Sequence, residues 1–407
     1  MSTKNREMPD CAHVDVADGF RAASALLVLW FHFWQQNWLR PEIALPFLAP
    51  VGLASINLEW LPRSGYLFVD ALLMLSGFCL FLPVARAVAE GRPDAGRIDA
   101  RDFYRRRLAR ILPSYLFCLA VILIFCVLPD WPYAAAKDFW TDLLAHLTFT
   151  HSFFPASYLG TQLNGALWTL SIEAQFYLLF PLLARWFARA PLRAWAVMNG
   201  ISLASVAALA LLRPDLGMWL NQLPLQLCTY ADGMLAALCF VRLARRPRRG
   251  RWEGLIFSAL ALACIWGVAG LVKRQGGAPD LQLGQLLLRL PLSALFAALL
   301  VCLALSARPL RWLFSNRLMR FLSTISFNLY IWHQYLAIQL KWRWHIPAWS
   351  GELPPNQTGD RAWQWRYTLV IHLAAFGAAI ACTYLIERPC ARWVLKRGRK
   401  KEKAACT

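Results

Sequence analysis

Residues 18–34 read DGFRAASALLVLWFHFW. The run is apolar enough to enter a bilayer, yet it opens with Asp18 and Arg21 and carries His32 near its middle. An α-helix rises 1.5 Å per residue, so Arg21 and His32 stand roughly 16 Å apart along the axis, close to three full turns. Both side chains then lie on nearly one face. Arg21 falls at one mouth of a hydrocarbon core about 30 Å thick, and His32 falls about halfway through it. An ionisable group at that depth costs several kcal/mol unless it meets a cavity or a partner, which makes it a functional candidate. The plain structural readings are an interface anchor for Arg21 and a bond to a neighbouring helix for His32.

The remainder of the chain has the same character. Of 407 residues, 58% are hydrophobic and only 16% charged, against about 25% charged in soluble domains. Apolar runs long enough to span recur near 18–39, 66–85, 111–128, 164–184, 194–212, 219–241, 254–272, 284–306, 321–340 and 367–386. The expected fold is an all-α polytopic membrane bundle of about ten transmembrane helices. It forms one membrane domain through 387, followed by a basic tail over 388–407. The stretch 139–160 is too polar for a span and is expected to lie at the interface or to re-enter. No cleavable signal peptide is expected, because the first apolar run is too long for one. The eleven Cys are scattered without a CxxC pair, which argues against a disulfide framework and against a metal site.

Charge sets the expected direction. Of the 43 Lys and Arg, 32 fall in alternate segments: the N-terminal stretch through Arg21, the 86–110, 185–193, 242–251 and 308–320 loops, and the tail. The positive-inside rule puts these segments, and both termini, in the cytoplasm. The bilayer is thus a partner, with the tail an anchor on anionic lipid. A net charge of +20 raises nucleic acid as a rival. No stacking platform or fold motif accompanies the basic runs, so nucleic acid is not expected.

Further ionisable and polar residues fall within the spans. Glu173, in ALWTLSIEAQFYLLFPLL, lies roughly 13 Å deep, with Tyr177 one turn on. Asp70 and Ser76 lie in GYLFVDALLMLSGF, Asp232 in CTYADGML, and Asn328 and His333 in STISFNLYIWHQY. Similar depths lead to the expectation of a shared polar cavity containing Asp18, Asp70, Ser76, Tyr177, Asp232, Asn328 and His333 around His32 and Glu173. The structural alternative is a network that only ties helices together. At the inner mouth, DFYRRRLARILP puts Arg107 and Arg110 on one helix face. Arginine suits phosphate through bidentate hydrogen bonds.

These motifs together resemble the acyltransferase-3 family of bacterial integral-membrane acyltransferases, which includes O-acetyltransferases of surface glycans. DGFRAASALLVLWFH is similar to the family's first span, with Arg21 and His32 at its R-x10-H spacing. VDALLMLSGF, FYRRRLARILP, LWTLSIEAQFYLLFP, ISFNLYIWH and YLIERP resemble its later motifs, in order, from about Asp18 to Pro389. The sequence departs from the pattern at Phe20, Ala22 and Ala174. The resemblance implies transfer of an acyl group, acetyl in most of the family, from cytosolic acyl-CoA to a hydroxyl of a glycan or other acceptor. It implies acyl-CoA as co-substrate rather than a resident cofactor. Arg21, Arg107 and Arg110 would hold the donor phosphates, His32 would be general base, and Glu173 would orient or charge-stabilise its imidazole. The rival class is a proton-coupled transporter or a flippase of a glycan or lipid-linked precursor, for which ten spans with buried Asp, Glu and His also suffice.

Overall fold

The computed structural model describes residues 14–39, 41–52, 54–212, 216–247, 250–344, 346 and 362–405. Counting helices of eight residues or more, these are α1 (Asp15–Asn37), α2 (Phe68–Ala89), α3 (Ala100–Ile122), α4 (Ala136–Leu147), α5 (Trp168–Arg189), α6 (Pro191–Leu212), α7 (Leu223–Ala244), α8 (Arg251–Gly276), α9 (Leu281–Leu305), α10 (Arg308–Ser315), α11 (Arg317–Trp342), α12 (Ala362–Cys382) and α13 (Arg388–Ala405). The sheet is a two-stranded antiparallel ribbon of Glu42–Ala44 with Ser55–Asn57.

Among the described residues, nine helices are long and apolar enough to cross a membrane. The tenth expected span, 321–340, is the 26-residue α11, which is long enough but too polar to meet that criterion. Its polar side chains face protein: Ser323, Ser326, Asn328 and His333 are buried, where α11 packs against α1 and α12. Residues 1–13 and most of the stretch between α11 and α12 lie outside the described residues.

Two departures from the sequence reading shape the site. α3 begins at Ala100, well before the expected span at 111. Asp99 caps it by accepting from the backbone N–H of Arg101 (3.0 Å) and Asp102 (3.3 Å). Arg107 and Arg110, expected to share one helix face, therefore lie well inside α3 rather than just before its start. α3 and α12 also each run into a π-helical turn, Leu123–Val127 and Thr383–Glu387. The second turn packs against α3 and continues into α13, so the basic tail extends the last span as helix.

α2 and α7 meet backbone to backbone. A Cβ added to Gly77 would lie 2.5 Å from the Tyr230 carbonyl oxygen, and one added to Gly233 would lie 2.0 Å from that of Met74. Small residues permit this close approach, which replaces hydrophobic driving force in a bilayer.

The 139–160 stretch folds as α4 and short turns. His146 and His151 stack there at 4.2 Å. Asp142 accepts from Tyr133 (2.6 Å) and Thr161 (2.9 Å). Burial pushes the His151 imidazole down to about 4, so this ring is a neutral structural element at ordinary pH.

Candidate active site

α1, α2, α3, α5 and α11 converge on a cleft, open to solvent, with a cavity volume of about 130 Å³. Arg21, Ser76, Arg107, Arg110, Glu173 and Tyr177 all line it. The local reason is helical spacing. Arg107 and Arg110 are i, i+3 on α3, and Glu173 and Tyr177 are i, i+4 on α5, so each pair shares a face. The Tyr177 hydroxyl donates to Glu173 Oε2 at 2.7 Å. Arg21 lies 3.8 Å from Asp18 Oδ1 and donates to Cys79 Sγ at 3.4 Å. Asp18 in turn accepts from the Ser323 hydroxyl at 2.9 Å. The Arg107 guanidinium lies over the Phe103 ring at 5.8 Å, and its Nε is buried with no hydrogen-bond partner. A buried donor left unmade is costly, so Arg107 is set up to receive an acceptor that the protein itself does not supply.

His32 and His333 form a separate pair. His333 Nδ1 lies 2.7 Å from the Tyr330 carbonyl and 3.1 Å from that of Leu329. His333 Nε2 lies 2.9 Å from His32 Nδ1, which is also 3.0 Å from the Val28 carbonyl. These distances assign the tautomers. A carbonyl oxygen can only accept, so His333 carries its proton on Nδ1 and its lone pair on Nε2. That lone pair must receive the proton on His32 Nδ1. His32 Nε2 is left as the free basic nitrogen. Tyr330 connects the two regions: it lines the cleft, and its ring lies 5.6 Å from that of His333. Its hydroxyl donates to the Ala166 carbonyl (2.8 Å) and accepts from Thr169 (3.0 Å).

The structure revises several sequence expectations. Glu173 is bonded to Tyr177 within the arginine cleft, and the group that orients His32 is His333. Depth along a span gives no information on azimuth, and Glu173 faces the arginines. Asp70 does not share the cleft. Its carboxylate pairs with Arg289 at 3.3 Å and accepts from Gln226 at 3.1 Å. Arg289, fully buried, also donates to the Leu220 carbonyl (2.7 Å) and to Asn221 (3.1 Å). Asp232 is likewise elsewhere, accepting from Trp195 and Ser293, each at 2.7 Å. Asn328 donates to Thr383 (2.9 Å) and Glu387 (2.7 Å), tying α11 to the second π turn. Sequence reasoning missed Tyr330, Cys79 and Thr169 as cleft residues. It also passed over Arg289 as a partner, although a lone arginine inside a span calls for a carboxylate.

These elements form a helical membrane bundle with an arginine-lined cleft and, next to its Tyr330, a hydrogen-bonded histidine pair. The comparison with known families identifies it further. An acyltransferase domain matches residues 15–388, and the chain belongs to the acyltransferase-3 family. The chain is 30% identical over 191 residues to acyltransferase MdmB of Streptomyces mycarofaciens, covering 46% of this chain and 44% of that protein. It is 29% identical over 134 residues to O-acetyltransferase OatA of Staphylococcus aureus, covering 31% of this chain and 21% of that protein. The matches thus span less than half the length of each relative. No solved structure matches.

Proposed function

We propose that this protein is an O-acyltransferase of the bacterial cytoplasmic membrane, with both termini in the cytoplasm. It moves an acyl group, acetyl in the simplest case, from cytosolic acyl-CoA to a hydroxyl of a glycan or other acceptor. The observation that carries this reading is an arginine-lined cleft whose Tyr330 stands next to the hydrogen-bonded His32–His333 pair.

Acyl-CoA is polyanionic at one end and carries its thioester on a flexible arm. Arg21, Arg107 and Arg110 supply phosphate donors at the mouth, and the unpartnered Nε of Arg107 favours such a ligand. The arm runs along α1 past Tyr330 toward the imidazole pair. His32 Nε2 takes the proton of the acceptor hydroxyl as its oxygen attacks the thioester carbon. The new C–O bond forms, the C–S bond breaks, and the imidazolium returns the proton to the departing thiolate. His333 Nε2 accepts from His32 Nδ1 throughout, which holds the tautomer and steadies the transient charge. On the other side of α1, Trp30, Phe33, Trp34 and Trp365 line a second cleft of about 880 Å³. Phe33 lies 6.5 Å from the His333 ring, so this aromatic cleft supports an acceptor approach from the outer side.

The test is transfer of label from acyl-CoA by purified protein. His32→Gln is expected to lose about 10²–10⁴-fold in rate, the usual contribution of a general base. Full retained activity would remove His32 from that role, and no transfer by the wild type to any acceptor pool would favour the transporter reading. His333→Phe is expected to lower kcat roughly tenfold or more and to alter the pH profile, with the KM for acyl-CoA unchanged. A purely structural role for His333 would leave the pH profile in place.

A further inference from the structure

The loop after α2 and the last turns of α5 enclose a hollow distinct from both clefts, with about 680 Å³ of space. Arg92 and Arg97 line it from the loop, and Arg185 and Arg189 line it from α5. Arg185 and Arg189 are i, i+4 and share a face. The loop is seated firmly on α5: a Cβ at Gly96 would lie 3.0 Å from both Ala188 Cβ and Arg185 Cα.

The nearby acids are already engaged or turned to other work. Glu90 pairs with Arg92 at 3.2 Å and with Arg245 at 3.1 Å. Asp99 caps α3. Asp94, the other acid of the loop, meets Arg97 through its backbone carbonyl, which accepts from the Arg97 N–H at 2.7 Å. Arg97, Arg185 and Arg189 have no carboxylate partner among the described residues. Beside the hollow, α5 presents a bare apolar side: Leu178 and Leu182 are 67% and 69% exposed, and Trp186 is 37% exposed. A cationic hollow opening beside an apolar face matches one ligand chemistry, an anionic head on hydrocarbon tails. An exposed Trp at that junction fits the headgroup level of a bilayer.

We infer that this hollow binds the phosphate headgroup of an anionic phospholipid. The phosphate accepts from the guanidiniums of Arg97, Arg185 and Arg189, and the acyl chains lie along Leu178 and Leu182. The lipid thereby staples the 88–97 loop to α5, directly before the cap of α3. The inference stands apart from the acyl-transfer reading and survives its failure.

The experiment is retention of lipid by the full-length protein in detergent, read by native mass spectrometry after mixing with phosphatidylglycerol or phosphatidylcholine. The wild type is expected to keep phosphatidylglycerol at least tenfold better than phosphatidylcholine. Arg185→Gln with Arg189→Gln is expected to lower that retention about tenfold. Removing equal charge elsewhere, by Arg242→Gln with Arg308→Gln, is expected to leave it within twofold. Arg97→Gln alone reports on the same site from the loop should the double variant fail to fold, with an expected loss of severalfold. Unchanged retention in the hollow variants would overturn the inference. So would an equal loss in the control pair, which would mean diffuse attraction, or displacement of the lipid by equimolar inorganic phosphate, which would mean a site for the free anion.

Discussion

Two of the polar sites inside this apolar bundle differ in charge balance. The Asp70–Arg289 site is matched one to one and sealed, with 2% and 0% of the side chains exposed. Its remaining hydrogen-bonding atoms are taken by Gln226, Leu220 and Asn221. The cleft sets three guanidiniums against Glu173 and Asp18, leaves Arg107 Nε unpartnered and encloses empty space. Both use arginine and carboxylate at membrane depth. The first is a clamp joining α2, α7 and α9, because its two charges neutralise each other, with Gln226 Oε1 left without a partner at its edge. The second keeps a positive surplus, which on the proposed reading the phosphates of the acyl donor offset.

The comparison breaks most sharply at Arg289. Arg289→Met alone strands Asp70 and is expected to cost about 3–5 kcal/mol, whereas pairing it with Asp70→Leu should recover most of that loss. Thermal melting in detergent reads both, and an equally unstable double variant would mean the site does more than clamp. In the cleft, Arg107→Ala should leave melting nearly unchanged but weaken acyl-CoA binding about 10–100-fold, as expected for a lost charge-assisted bond worth roughly 1.5–3 kcal/mol. A destabilised Arg107→Ala with unchanged donor affinity would make the two sites alike. Ser293→Ala marks the small end. It removes one of the two bonds to Asp232 and should cost about 1 kcal/mol with transfer unaffected, because Asp232 lies outside the cleft. A large loss of transfer in that variant would return Asp232 to the functional set.

Period and hydropathy were enough to find the long apolar helices, since a bilayer forces a span to satisfy its backbone internally, but not α4, α10 or α13. α11 was legible by length, yet its polarity made sense only once its neighbours were known. The arginine cleft was legible too, because i, i+3 and i, i+4 spacing sets a shared face on a single helix. Partner choice across helices was not legible. Glu173, Asp70, Asp232 and His333 sit at comparable depths, but rotation about each helix axis sends them to different neighbours. Glu173 was placed with His32 on depth, whereas the hydrogen bond to His32 comes from His333 and Glu173 bonds Tyr177. The tautomer of His32 was likewise beyond sequence, since it follows from the carbonyls of Leu329 and Tyr330 one turn before His333.

The glycine contacts between α2 and α7 have a mechanical consequence. With Gly77 against the Tyr230 carbonyl and Gly233 against that of Met74, no flexible side chain cushions the contact, and sliding would drive backbone into backbone. That side of the cleft is a fixed jaw. α1 is held as closely, since a Cβ at Gly19 would lie 2.0 Å from the Phe314 carbonyl oxygen and one at Gly65 2.0 Å from that of Leu27, so room for a bulky donor is left to α3, whose regular helix gives way to a π turn.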